Sequence, residues 1–256
     1  MDFYSSDGRR LATLADWRNH GGSVSWRHWA EGGSTRELAR AWLEGDAATQ
    51  VTALLTSVPE LGGLVLDHGI AEKETRFDDI PGDPRHHDLL VICRAPAGTV
   101  VIGVEGKAGE PFDEPLDAWV MRAEARSERT RAPERLDRLT TAFFGTTLEE
   151  HPLLAPLRYQ LVSALAGTLA DARDQDAARA VLLVHEFETP WTDDDLHRRN
   201  AEDLEAFLGQ LAPGVERLGA DRAWIAGPLV VAGDGTWLAD QTEVYVAKLV
   251  TTTRPT

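Results

Sequence analysis

Two carboxylates and one ammonium group fall at one end of a predicted β-hairpin. The apolar run after Asp88 and the run before Lys107 both have strand length, and Pro and Gly occupy turn positions between them. The start of one antiparallel strand lies beside the end of its partner, so we expect Asp88 near Glu105 and Lys107. Glu105 and Lys107 are two residues apart and therefore share a face of their strand. These residue types predict a site that holds a hard divalent cation and activates a water.

The same pattern also occurs on ordinary surfaces, where an Asp and a Glu–Lys pair merely end an apolar run in solvated charges. Two observations favour a site. Residues 100–104 are almost entirely apolar, which is typical of a strand buried on both faces, and such a strand usually ends at a cleft. The chain has only three lysines, Lys73, Lys107 and Lys248, and arginine supplies its other positive charge.

Asp88 followed by Glu105-Gly106-Lys107 resembles the signature of the PD-(D/E)XK nuclease superfamily, whose fold is called restriction-endonuclease-like. The resemblance covers residues 33–187. His87 stands where the superfamily has a proline, a position at which the proline is often absent. The resemblance implies a mixed sheet flanked by helices and a metal-dependent phosphodiester hydrolase.

The resemblance also implies roles for two helical residues. Members often carry a metal-facing glutamate on the first core helix, and Glu37 is the candidate. Ser34 and Glu37 also have the spacing of a capping box, in which the glutamate reaches back to the Ser34 amide. A glutamine on the helix after the Glu-x-Lys strand often supports the site, and Gln160 occupies that place. The alternative for Gln160 is a position at the polar margin of a helix packed on the sheet.

The expected chemistry is hydrolysis of DNA or RNA with Mg²⁺ or Mn²⁺. Asp88 and Glu105 would supply carboxylate oxygens to the cation, and the Gly106 carbonyl would supply a third ligand. Lys107 would orient the attacking water or stabilise charge on the phosphate. Two alternatives stay open: a nuclease-fold binding module without hydrolysis, and another metal-assisted hydrolase on the same sheet.

The charge balance opposes the nuclease prediction. The net charge is −16, whereas nucleic-acid binders usually show a basic footprint. A local patch can oppose the net charge, and six arginines lie within 122–138. Acidic residues alternate with them, a pattern typical of a solvated helix with i,i+4 ion pairs. Contact with phosphates is the other interpretation of this segment.

Hydrophobic periodicity and breakers predict an α/β fold with a central mixed β-sheet flanked by helices. Helices are predicted over 34–44, 50–57, 113–127, 133–144, 157–170 and 193–211. Strands are predicted over 64–70, 87–93, 100–107, 180–187, 222–231 and 243–250, with a turn at Asp234-Gly235. We expect a single domain over 1–256, with an irregular N-terminal extension (1–33), a nuclease-like core (34–187) and a C-terminal helix and strands (188–256).

The remaining composition predicts a cytoplasmic protein. No stretch has the apolar length of a membrane span, and the first residues lack the basic and apolar regions of a signal peptide. Cys93 is the only cysteine, so an intramolecular disulfide is excluded, and its apolar neighbours predict a core position.

Overall fold

The structure, a computed structural model, describes residues 1–22, 29–230 and 242–253. Within these ranges the chain forms one mixed sheet of eight strands in the order β1-β2-β3-β4-β5-β8-β7-β6, flanked by helices. The predicted fold class, a central mixed sheet flanked by helices, is confirmed. No helix of the described ranges has both the length and the apolar character needed to cross a membrane.

The elements have the following bounds. The strands are β1 (Asp2–Ser5), β2 (Val65–Thr75), β3 (Arg85–Ala95), β4 (Gly98–Lys107), β5 (Arg179–Glu188), β6 (Arg217–Ala220), β7 (Ala223–Val230) and β8 (Glu243–Thr252). The helices are α1 (Leu14–His20), α2 (Ser34–Leu43), α3 (Ala47–Leu55), α4 (Leu116–Arg126), α5 (Ala132–Phe144), α6 (Tyr159–Asp174) and α7 (Asp194–Leu211).

The predicted hairpin forms the middle of the sheet. β3 and β4 pair antiparallel around the short turn at Pro96-Ala97, and β4, β5 and β8 then run parallel to one another. Successive residues of β5 point to opposite faces: Leu182 belongs to one hydrophobic cluster and Leu183 to the other. Burial on both faces explains why the central strands read as continuous apolar runs.

Helices cover both faces of the sheet. Helices α4 to α7 contribute to the hydrophobic cluster on one face, and α1 to α3 contribute to the cluster on the other. Helix α6 lies directly on β3, β4 and β5 and is buried along most of its length. It therefore fixes the position of its own first turn over the open end of the hairpin, where the predicted site lies.

Two glycines allow α6 to approach the sheet closely. A Cβ atom at Gly103 of β4 would lie 2.1 Å from Thr168 Oγ1, and one at Gly167 of α6 would lie 2.7 Å from His87 Nε2. Thr168 Oγ1 is itself held by a 2.8 Å hydrogen bond to the Ala164 carbonyl. The contact between helix and strand therefore leaves no space for a larger residue.

Both ends of the chain contain regular elements that the sequence did not predict. Within the described part of residues 1–33, which the sequence predicts to be irregular, β1 adds a parallel strand beside β2 and α1 follows with a capping box between Thr13 and Asp16. A four-residue strand bonded to a distant partner leaves no periodic signal of its own. Strand β6, which pairs with the neighbouring strand β7, was also not predicted, because it has only four residues. The predicted Asp234-Gly235 turn lies outside the described residues.

We predict that Gly103→Ala lowers the free energy of unfolding by about 1–3 kcal/mol, because the new methyl group overpacks the contact with α6. Gly209→Ala is the matched control, since a Cβ atom there has no neighbour within 4 Å and alanine favours a helix. Urea unfolding of both variants measures the difference. Equal stability of the two variants would contradict the close packing of α6.

Candidate active site

The strands of the hairpin separate at its open end. Pairing of β3 with β4 extends only to Leu89 and Val104. Beyond this point β4 stays paired with β5 as far as Lys107, and β3 stays paired with β2 as far as Arg85. The gap between the separated strands receives polar side chains from both of them.

Asp88 bridges this gap with its side chain. The Gly106 amide donates a 2.7 Å hydrogen bond to Asp88 Oδ2, so the carboxylate takes the place of a backbone partner. The group is half-buried. Burial raises the pKa of Asp88 well above its usual range, and the nearby carboxylates of Glu105 and Glu72 raise it further. Asp88 therefore faces other carboxylates across the gap.

Glu105 is the most enclosed group of the site, with 1% of its side chain exposed. Lys107 Nζ lies 3.1 Å from Glu105 Oε1, Gln160 Nε2 donates to the same oxygen, and Arg85 Nη2 donates to Oε2. Burial alone would raise the pKa of Glu105, but the charges of Arg85 and Lys107 outweigh it and lower the pKa. Glu105 is thus an ionised carboxylate held by three partners.

Lys107 is buried as well, and its ammonium lies 5.3 Å from the centre of the Phe112 ring. Burial would lower the pKa of Lys107, yet the carboxylates of Glu105 and Asp88 outweigh this effect and raise it. A buried cation with these neighbours stays protonated. The structure therefore brings Asp88, Glu105 and Lys107 into one electrostatic cluster.

Gln160 connects the cluster to α6. It lies in the first turn of the helix, where its amide nitrogen donates to Glu105 and its oxygen accepts a 3.1 Å hydrogen bond from the Asp113 amide. Both ends of the side chain are thereby used. Gln160 therefore supports Glu105 and holds the loop before α4. These two hydrogen bonds match the predicted supporting role better than a position at the polar margin of the helix.

Two members of the cluster were missed by sequence reasoning. Arg85 bonds Glu105, and Glu72 of β2 interacts electrostatically with Glu105 and Asp88. Burial, together with the charge of Glu105, raises the pKa of Glu72 to about 7. The register of β2 and β3 contains the signal that would have found Glu72, because flanking pairs place it opposite Asp88.

Glu37 has a different role from both predictions. Gly33, not Ser34, is the residue before the first turn of α2, and Glu37 accepts a 3.2 Å hydrogen bond from the Gly32 amide. Its other oxygen lies 2.8 Å from Arg40 Nη2. Glu37 thus holds the chain that enters α2, at an amide two residues before the one that the Ser34 capping box predicts. The structure does not bring it into the carboxylate cluster.

His87, at the superfamily's proline position, is a buried structural residue. Its Nε2 atom lies 3.3 Å from Asp171 Oδ2 on α6, and Thr75 donates a 2.7 Å bond to the same oxygen. Burial lowers the pKa of His87. This contact ties β2, β3 and α6 together directly behind the cluster.

A cleft of about 550 Å³ opens beside the cluster. Gln160 lies on its floor, and Arg85, Arg122, Arg126 and Arg135 line its walls. The arginine-rich segment forms α4 and α5, and most of its arginines pair with acids, as Arg135 does with Asp78 at 2.7 Å. The solvated ion-pair interpretation therefore describes most of the segment, while α4 turns two arginines toward the cleft.

The donor set suits a hard divalent cation. Asp88, Glu105 and Glu72 supply carboxylate oxygens. Burial and then their mutual repulsion raise the pKa values of Asp88 and Glu72, so added positive charge is favourable there. Within the described ranges no three acidic, histidine or cysteine side chains already surround one point. Mg²⁺ commonly binds one or two carboxylates and keeps several waters. The Gly106 amide bonds Asp88, and a role for its carbonyl stays a prediction.

We predict that Glu72 makes stability fall as pH rises. Its pKa is about 7 in the folded chain against an ordinary 4.5, so the folded state binds the extra proton between these values. The contribution of Glu72 to stability is then greatest below about pH 4.5 and is lost as pH rises to about 7. Glu72→Gln should reduce this loss by about 1–3 kcal/mol.

Urea unfolding at pH 5 and pH 8 in EDTA measures this difference. Glu74→Gln is the control, because Glu74 lies on the same strand with 63% of its side chain exposed. An unchanged pH dependence in Glu72→Gln would contradict the placement of Glu72 against the cluster.

Comparison with known proteins identifies the family of the chain. A family model described as "Domain of unknown function (DUF6946)" matches residues 10–231. No curated protein and no solved structure matches the chain. The match covers both strands of the hairpin, α4 and α6, and therefore the whole carboxylate cluster. The chain belongs to the DUF6946 family.

Proposed function

We propose that this protein is a metal-dependent nuclease that hydrolyses phosphodiester bonds of DNA or RNA. The observation that carries the proposal is the convergence of Asp88, Glu105 and Lys107 at the separated end of β3 and β4, beside an arginine-lined cleft. The resemblance of these residues to the PD-(D/E)XK signature supports the same reaction class. A cytoplasmic location is part of the proposal.

Asp88 and Glu105 would hold Mg²⁺ or Mn²⁺, with the Gly106 carbonyl as a further ligand. When bound, the divalent cation supplies a Lewis acid for the phosphoryl oxygen and lowers the pKa of a bound water. Glu72 adds negative charge on the β2 side of the site. These oxygen donors match the preference of both cations.

Lys107 contributes a fixed positive charge. Its ammonium is buried and protonated, and its position against Glu105 is set before substrate arrives. A preorganised cation of this kind stabilises the negative charge that develops on the phosphate during hydrolysis. Gln160 and Arg85 are positioning residues, because they hold Glu105 in place from α6 and β3.

One observation favours a second candidate, a nuclease-fold module that binds nucleic acid without cleaving it. Both oxygens of Glu105 already accept from cationic or amide donors, namely Arg85, Lys107 and Gln160. A cation must compete with Arg85 and Lys107 for this carboxylate. Calorimetric titration with Mn²⁺ separates the candidates, since the module without hydrolysis has no need of the cation.

We predict that wild-type protein degrades DNA or RNA only with Mg²⁺ or Mn²⁺, and that Lys107→Ala and Lys107→Arg lower kcat by on the order of 10²–10³. Arginine fails because its planar fork cannot replace a compact ammonium. Lys73→Ala is the control, because within the described part of the chain Lys73 donates to a backbone carbonyl, that of Glu74, and forms no ion pair. Cleavage of labelled oligonucleotides by preparations with equal Tm gives the comparison.

Asp88→Asn extends the test to the metal. The amide can still accept from Gly106 and should preserve the fold, but Mn²⁺ affinity should fall with the lost charge. Equal turnover of wild type and both Lys107 variants would refute the mechanism. No cleavage by wild type, together with no Mn²⁺ binding, would favour the binding module.

A further inference from the structure

Helix α4 packs on the hydrophobic core through Leu116, with Trp119 partly buried against it. Leu116 is its only residue that is fully buried in the described structure, and Met121 is 68% exposed. Trp119, Arg122 and Arg126 are spaced i, i+3 and i+7 and so lie on one face of the helix. All three line the cleft beside the carboxylate cluster. The face of α4 that carries these three side chains therefore borders the cleft.

An aromatic stack lies at the cleft floor. The rings of Trp119 and Tyr159 have centroids 3.7 Å apart and planes inclined by only 10°. Arg135 donates a hydrogen bond to Tyr159 and thereby fixes the position of the Tyr159 ring. Gln160, the next residue of α6, bonds Glu105. The stack thus adjoins the carboxylates through consecutive residues of one helix turn.

The cationic groups are few and local. Arg122 shares its charge with Glu114 at 2.6 Å, and Arg135 pairs with Asp78. Within the described ranges Arg126 is exposed and has no carboxylate at ion-pair distance. The chain as a whole carries −16. This charge distribution favours contact with one or two phosphates and disfavours binding along a long stretch of duplex.

We infer that the cleft binds an unpaired nucleotide, with its base on the Trp119–Tyr159 stack and its phosphate at Arg126, so that the substrate is single-stranded nucleic acid. The inference rests on the proposed function for its link to cleavage. The cleft volume of about 550 Å³ lies in the range of small-ligand pockets, whereas the bases of a duplex are already stacked on each other. Aromatic stacking accepts any base, which predicts little sequence preference.

Equilibrium binding of labelled single-stranded and duplex oligonucleotides of the same sequence, in EDTA, tests the inference. Single strands should bind more tightly than the duplex. Trp119→Ala should weaken single-strand binding about 5- to 150-fold, the usual range for loss of one stacked base. Trp119→Phe should retain most of the affinity. Trp191→Ala is the control, since Trp191 is 57% exposed and lies outside the cleft.

Arg126→Gln provides an independent variant that cannot disturb the core. It should weaken binding and reduce the slope of log affinity against log salt by about 0.7, as expected for one lost phosphate contact on a single strand. Arg129→Gln is its control, because Arg129 is exposed outside the cleft. Tighter duplex binding, unchanged affinity in folded Trp119→Ala, or no binding of any oligonucleotide would overturn the inference.

Cleavage assays distinguish this inference from the proposed function. Preferential single-strand binding that depends on Trp119 and Arg126, but without cleavage in Mg²⁺ or Mn²⁺, would support the inference and refute hydrolysis. Cleavage of duplex at a rate unaffected by Trp119→Ala would support hydrolysis and overturn the inference.

Discussion

The site depends on one requirement, that the buried carboxylate of Glu105 be neutralised. An ionised group removed from water is stable only with charged or hydrogen-bonding partners, and loss of one partner of a buried pair typically costs about 3–5 kcal/mol. The partners of Glu105 come from three separate elements: Arg85 from β3, Lys107 from β4 and Gln160 from α6. The charge therefore fixes the relative positions of the hairpin and the helix. Under the proposed function, stability and metal binding draw on the same contacts, because a cation would have to compete with the groups that hold the fold.

The sheet satisfies this requirement by separating β3 from β4 while keeping each paired on its other side. A gap of this kind would leave backbone groups without partners, and buried backbone groups need them. Asp88 meets the need by accepting from the Gly106 amide. Behind the gap, the small size of Gly103 and the buried His87–Asp171 contact let α6 close on the sheet. The helix brings Gln160 to Glu105 only because this contact is so tight.

The sequence indicated the parts of the site that depend on local order. The hairpin, the helix that carries Gln160 and the convergence of Asp88 with Lys107 follow from periodicity and strand direction, which act over short distances. Arg85 and Glu72 could not be found this way, because their roles depend on which strands separate and which stay paired. Glu37 shows a third case. A reach back to a preceding amide was one of its two predicted roles, but α2 begins at Ser34 itself and Gly33 precedes its first turn, so the partner is the Gly32 amide.

The acidic composition and the basic cleft are compatible once charge is considered by location. Net charge governs long-range attraction, whereas affinity at a site depends on groups within about a Debye length, about 8 Å at physiological salt. Both arginines of α5 are neutralised by neighbouring acids, Arg135 by Asp78 at 2.7 Å and Arg138 by Glu134 at 2.9 Å. Arg126 on α4 keeps its charge beside Trp119. Under the proposed function, a cleft with one uncompensated arginine among its described residues and a stacking ring would discriminate against polyanions that approach along a broad surface. It would admit a chain end or an unpaired stretch that can enter the cleft.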